Sequence, residues 1–268
     1  MANIVENYVR FYGKEEDVRK ARESVYTRVD DEDGHENLFD LKKIVPMPKE
    51  LEGTNADTYS MFMYDLEAKA KGNAYMMKVL RDRLVQPHEY KSIILNRDHP
   101  SYNLARQIDD FMKYGGKEKF IEETDKKLEV YGKTGCVDWY EWTRKNWGTK
   151  WNVSDSREVD KDTVFFITAN SSPYKALEKF AERNPKVMVA VWSVDYGIGL
   201  PASLDLYVAG KDGKCHGIQA RTGEADMDFF HGNKDLFDDV DSLFPKRRVR
   251  TGNRDRGTPK GIDGGQAR

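Results

Sequence analysis

Five histidines, two cysteines and a run of alternating carboxylates are the residues of this 268-residue chain whose types suit catalysis or metal binding. His35, His88, His99, His216 and His231 are dispersed, with no H-x-x-x-H pair and no nucleophile-elbow glycine pattern. Cys215-His216 together with His231 offers three ligand types, but zinc sites use tighter paired spacing. Glu224, Asp226 and Asp228 alternate, so any strand there carries three carboxylates on one side, a set suited to a divalent cation and phosphodiester chemistry. Asp235, Asp238, Asp239 and Asp241 extend the same negative charge, which makes a solvated acidic face the foremost reading and a basic partner surface its natural contact. No phosphate-cradling glycine loop occurs, and Gly197-Ile198-Gly199 reads as a turn. The expectation is no catalytic set, no bound metal and no cofactor.

The stretch Cys136 to Val153, CVDWYEWTRKNWGTKWNV, holds four of the five tryptophans. Asp138 can cap a helix start and Glu141 can reach back to it, a capping box with Asp in the Ser/Thr place. Trp139, Trp142, Thr143, Asn146 and Trp147 then recur at spacings of three and four, so most of the indole surface lies along one stripe. Gly148 suits the left-handed residue past the helix end, and Trp151-Asn152-Val153 reads as the start of a strand. We expect Trp139, Trp142, Trp147 and Trp151, with Trp192 further on, to be core anchors; stacking on nucleic-acid bases or sugars is the other use of such a stretch.

The bulk numbers bound what surrounds it. A chain of this length buries a sizeable core without staples, and two cysteines lacking C-x-x-C spacing fit a reducing compartment. No apolar run approaches the roughly 18 residues of a membrane span, and the first residues lack a signal pattern, so a cytoplasmic protein with no membrane partner is expected. The formal net charge is −2, yet the segment from Lys246 to Arg268 holds eight Lys or Arg against two Asp. Rich in glycine and almost without apolar residues, that tail is expected to be disordered when free and to offer a salt-sensitive contact for nucleic acid.

Along the chain, Asn3 to Tyr12 reads as a strand and Lys14 to about Val29 as a helix with Val18, Ala21, Val25 and Val29 on one face. Leu38 to Val45 is a candidate strand stopped by Pro46 and Pro48. From Asp57 to about Tyr131 the signal is helical, with only Ile93-Ile94-Leu95 resembling a strand, and Met61, Met63, Met76 and Met77 are expected mainly in a core. Thr163 to Ala169 is nearly continuous apolar β material for a sheet interior. Ser172 is expected to cap the next helix with Pro173 at its first position. Val187 to Val194, Leu204 to Val208 and Cys215 to Ala220 follow as strands, the last two joined by a hairpin at Lys211-Asp212-Gly213. Phe165, Phe166 and Trp192 belong to the core. The pattern predicts an α+β fold in which ferredoxin-like β-α-β units form a mainly antiparallel sheet with helices, interrupted by a helical insertion. The expected divisions are an N-terminal β-α-β part over 1–56, the insertion over 57–134, a ferredoxin-like part with the Trp-rich helix over 135–245, and the basic tail over 246–268.

Asp138-Trp139-Tyr140, Asn146-Trp147-Gly148-Thr149-Lys150-Trp151 and Thr168-Ala169-Asn170-Ser171-Ser172-Pro173 resemble the phage and plasmid proteins of the Api and YubB type, as do Met1-Ala2-Asn3 and Ile44 to Leu51. The Trp-Gly-Thr-Lys-Trp run is the specific part. The chain departs from the pattern by Ile4-Val5 in place of an early Trp-Cys pair and by Asn170 where an aromatic is more usual. The resemblance implies a C-terminal ferredoxin-like domain and a phage or mobile-element accessory protein, and it brings no catalytic residues. The function expected is therefore non-enzymatic binding of a host protein or defence complex, through the helical insertion or through Glu224, Asp226, Asp228, Asp235, Asp238 and Asp239. A nucleic-acid-binding protein that uses the basic tail is the alternative, a metal-dependent nuclease stands third, and a homo-oligomer is compatible with each.

Overall fold

A computed structural model describes residues 3–28, 37–195, 197, 202–223 and 238–241. Its centre is the first strand, β1 (Ile4–Tyr12), where every second residue is buried. β1 lies between β5 (Thr163–Ala169) and β6 (Met188–Asp195) and runs antiparallel to both. With β4 (Ser154–Asp160), β7 (Ala202–Ala209) and β8 (Cys215–Gly223) it forms a six-stranded sheet in the order β4-β5-β1-β6-β7-β8, antiparallel throughout. β5 and β6 are therefore parallel to each other with β1 between them, bridged by helix α9 (Tyr174–Arg183), and β1 and β4 are likewise parallel with β5 between them. These are split β-α-β units of the ferredoxin-like kind. The strand shared by both units, β1, comes from the N-terminus.

β5 and β6 are buried on both faces, as their unbroken apolar runs require. Period-two alternation divides their side chains. Val9, Phe11, Val164, Phe166, Val189 and Val191 meet Val18 and Ala21 of α1 (Glu15–Glu23) and Ala176, Leu177, Phe180 and Ala181 of α9. Ala190, Trp192 and Val194 point to the other face, where Val240 of the short α10 (Asp238–Asp241) packs and Asp241 accepts the Tyr12 hydroxyl at 2.7 Å.

α1 is shorter than expected. Val25 donates to the Arg22 carbonyl and its own carbonyl accepts the Asp40 amide, which draws the chain into a two-stranded ladder of β2 (Tyr26–Arg28) with β3 (Asn37–Phe39). Val29 lies outside the described residues. The strand expected over Leu38–Val45 ends at Phe39, because Asp40 accepts the Lys42 amide at 2.9 Å and starts a helical turn, α2 (Leu41–Ile44). A side-chain cap there prevails over the apolar alternation.

Residues 58–134 form α3 (Thr58–Ala70), α4 (Ala74–Leu84), α5 (Pro87–Ile94), α6 (Tyr102–Tyr114) and α7 (Gly116–Thr134). Asp57 and Ser60 make a reciprocal capping box at the start of α3, and Asn73 caps α4. Ile93 and Ile94 end α5 rather than forming a strand. This block has its own core, with Phe62, Met63, Leu66, Met77, Ala105, Ile108 and Phe120 fully enclosed. The methionines divide: Met63 and Met77 are buried, whereas Met61 and Met76 are exposed. Arg81 is also enclosed, joining α4 to α7 through Thr124 (3.0 Å) and Asp125 (2.5 Å).

The two cores meet at neighbouring residues after α7, Cys136 packing in the sheet core and Val137 in the helical one. No helix among the described residues is long and apolar enough to cross a membrane.

Candidate functional site

α8 (Trp139–Asn146) carries the tryptophan stripe. Asp138 caps it by accepting the Glu141 amide at 2.9 Å, while Glu141 reaches one residue further back than a capping box requires, to the Val137 amide at 2.7 Å. The Trp139 amide that remains free at the helix start donates to Thr54. Trp142 and Trp147 are buried edge to face, 5.3 Å between ring centroids, and the Trp147 indole donates to the Val45 carbonyl at 2.9 Å. Trp139 is half-buried and Trp192 is buried on the opposite face of the sheet.

Trp151 departs from the core expectation: 39% of its surface is exposed, and the strand begins at Ser154 rather than at Trp151. The backbone explains both. Gly148 takes a left-handed φ of +86°, the buried Thr149 hydroxyl donates to the Ala169 carbonyl at 2.8 Å, and the Lys150 amide donates to the same oxygen. This loop turns Thr149 inward and leaves Lys150 and Trp151 outside. A side chain at residue 148 would place its Cβ 2.7 Å from the Tyr174 ring, so glycine also lets Tyr174 lie against the loop.

The start of α9 differs from expectation as well. Asn170 is left-handed at φ +70°, Ser171 donates to the Gly148 carbonyl, and the Tyr174 amide is taken by the Ser172 carbonyl. That turn leaves the Ser172 hydroxyl without a capping role, and Pro173 occupies the capping position itself.

Between the end of α8 and the start of α9 lies a cleft of about 780 Å³, with Tyr64, Tyr140, Arg144, Lys145, Lys150, Asn170, Tyr174 and Lys175 in its walls. Four cations face it against one carboxylate, Glu141. Among the described residues Arg144, Lys150 and Lys175 form no salt bridge; each lies near an aromatic ring instead. Arg144 is 5.5 Å from the Tyr140 centroid, Lys150 is 4.9 Å from that of Trp151, and Lys175 is 5.7 Å from that of Tyr174. Lys145 is paired, at 2.5 Å with Glu141 and 3.0 Å with Glu67 of α3.

The electrostatics on the inner wall follow from burial. Burial, aided by a hydrogen bond with Glu67, pushes the Glu141 carboxyl up to about 7. Against the burial that would raise it, hydrogen bonds with Glu141 and Lys145 hold Glu67 below the usual carboxylate range. Burial and the 2.6 Å hydrogen bond to Asp138 raise the Tyr64 phenol. Burial, with Glu141 next, pushes the Cys136 thiol up to about 12, and burial raises Cys215. Neither cysteine is a ready thiolate.

None of the described residues singled out for chemistry lines this cleft. Glu224, Asp226, Asp228, His231 and Asp235 lie outside the described residues, as does the basic tail from Lys246. Asp238 and Asp239 belong to α10. His216 is in β8 beside Cys215, and no group of three potential metal ligands occurs among the described residues. The cleft residues left a partial signal in the sequence, because Tyr140, Arg144, Lys145 and Lys150, with Trp151 beside Lys150, interleave aromatic and basic types within one stretch. Tyr174, Lys175 and Glu67 carried none, since only the tertiary fold brings them to it.

No family model matches the chain, and no curated protein matches it. Among solved structures it is similar to the protein api92 from Yersinia pseudotuberculosis, of the DUF1281 family model, at 10% identity and a TM-score of 0.36 over 84% of this chain and 99% of that one.

Proposed function

We propose that the protein is a non-enzymatic binding protein whose cleft takes single-stranded nucleic acid. One observation carries the reading: Arg144, Lys150 and Lys175, free of carboxylate partners among the described residues, converge on one cleft beside Tyr140, Trp151 and Tyr174. A basic groove that follows the phosphates, with aromatic faces on which bases stack, is how sequence-tolerant single-strand binding is built. The cations resting near the rings exchange those contacts for phosphate, and the rings so freed accept bases. Three phosphate contacts to a single strand give a slope of log affinity against log salt of about −2. Titrating an unlabelled oligothymidylate while following tryptophan fluorescence tests this. Quenching with that salt slope, lost in the Arg144→Glu, Lys150→Glu double variant, is expected; undiminished binding by the double variant removes the cleft from the contact.

A protein partner is the second reading, and a different surface favours it. On the helical block Tyr59, Met61, Phe111 and Tyr114 line an apolar groove of about 580 Å³, and Tyr114 is 90% exposed. A contact there would let the phage or mobile-element accessory protein that the resemblance implies occupy a host protein and antagonise a defence complex. Capture of one host protein by the wild type but not by Met61→Glu, Tyr114→Glu supports that role; capture unchanged by the substitutions counts against the groove.

A further inference from the structure

Two carboxylates share one ammonium at the cleft, Glu141 in its lining and Glu67 behind it. Glu67 comes from α3, Glu141 and Lys145 from α8, and both acids bind the same Nζ. Both are shielded, their side chains 18% and 10% exposed, while Lys145 reaches the cleft. Other groups around the pair are the Tyr131 hydroxyl of α7, which donates to Glu67 at 3.2 Å, and Tyr64 of α3, bound to Asp138. The Val137 amide, which Glu141 accepts, and the buried Cys136 thiol complete the surroundings on the approach to α8, and Arg144, Lys150 and Lys175 stand on the open side. With both acids ionised the triad carries a net charge of −1 and commits Lys145 to two partners. With one proton shared by the acids the triad is neutral, and Lys145 needs only one of them.

We propose that the Glu67–Glu141 pair makes anion binding in this cleft proton-linked: a phosphate that takes Lys145 as its partner is accompanied by one proton from solvent onto the pair. The inference rests on the cleft reading above. A phosphate at Lys145 would otherwise stand beside two uncompensated carboxylates whose side chains are only 18% and 10% exposed, where like charges repel more strongly than between fully hydrated groups. The carboxyl that already titrates near neutrality supplies the proton site within the physiological range. The two acids act as one titrating unit, so the linkage belongs to the pair.

The test is calorimetric titration of the full chain with an oligothymidylate lacking terminal phosphates, at fixed ionic strength between pH 6 and pH 8. The ligand then has no group of its own that titrates in this range. The expected result is binding about tenfold weaker at pH 8 than at pH 6, with proton uptake read from the dependence of the heat on buffer ionisation. Glu141→Gln should bind as tightly at pH 8 as at pH 6 and release no buffer heat, and Glu67→Gln should flatten the profile independently. A wild-type slope that persists in both variants, or salt-sensitive binding with a flat wild-type profile, overturns the linkage and leaves the cleft reading intact. No binding at any pH overturns both.

Discussion

Trp147 and Trp151 are four residues apart, of the same type, and have opposite roles. Trp147 is enclosed and its indole is satisfied by the Val45 carbonyl, so Trp147→Ala leaves a cavity and an unpaired carbonyl. It should lower stability by about 3–5 kcal/mol in chemical denaturation. Trp151→Ala should change stability by less than about 1 kcal/mol, as surface changes do, while weakening oligonucleotide binding at the cleft. Glu141 gives a pH signature at the same scale. Its pKa in the fold is raised above the ordinary 4.5 to about 7, so its favourable contribution is complete below the first value and is lost as pH rises through the second. Glu67 is held low, so its contribution is present above the ordinary value and lost only in acid. Between pH 6 and pH 8.5 the Glu141 effect is therefore separated from that of Glu67. The melting temperature of the wild type should fall across that interval relative to Glu141→Gln; parallel profiles would show that Glu141 does not titrate there.

At the scale of elements, Arg81 ties α4 to α7 from a position that is 1% exposed, while its partners Asp82 and Asp125 are about half exposed. Removing the guanidinium lets both acids return to water, so the loss is chiefly of packing. Arg81→Ala should cost about 2–4 kcal/mol and Arg81→Met distinctly less, because the methionine fills most of the stem volume. Sequence was most legible where local chemistry and periodicity agree. The apolar runs of β5 and β6, the hairpin of β7 and β8, and the Asp138 cap of α8 fall where pattern and punctuation place them. It was least legible where a non-local bond decides. The Val25 carbonyl, taken by the Asp40 amide, shortened α1, and the Ala169 carbonyl held Trp151 in a loop outside the core; the Asp40 cap that ended the candidate strand is local, but the apolar alternation hid it. The cleft was half legible for the same reason: the Tyr140 to Trp151 side is one continuous stretch, whereas Tyr174, Lys175 and Glu67 arrive from separate elements.

At the scale of the whole molecule, the N-terminal strand is the piece on which the sheet depends. β5 and β6 are parallel and one strand-width apart, and only β1 hydrogen-bonds to both. A fragment starting at Gly135 retains five of the six strands yet carries a gap at the position where Val9 packs and Asn7 bonds Thr168. It should lack dispersed amide resonances in NMR and a cooperative thermal transition. Adding a peptide of residues 1–56, which supplies β1 with the α1 and α2 side chains of the same core, should restore both, and a fragment that folds without it would contradict this account of the sheet.

The same placement has a consequence in time. β1 is made first, yet its neighbours on either side are about 160 and 185 residues away, Asn7 facing Phe166 and Ser193. At roughly 5–20 residues per second, the strand leaves the ribosome some ten to thirty seconds before β5 exists. The helices α3 to α7, whose buried core is built almost wholly from one another, can assemble in that interval. Their compaction shortens the path over which β1 must later close on β5 and so lowers the entropy that closure costs. The helical block, whatever it binds, thus serves the growing chain as a spacer that folds early and brings the oldest strand back to the newest.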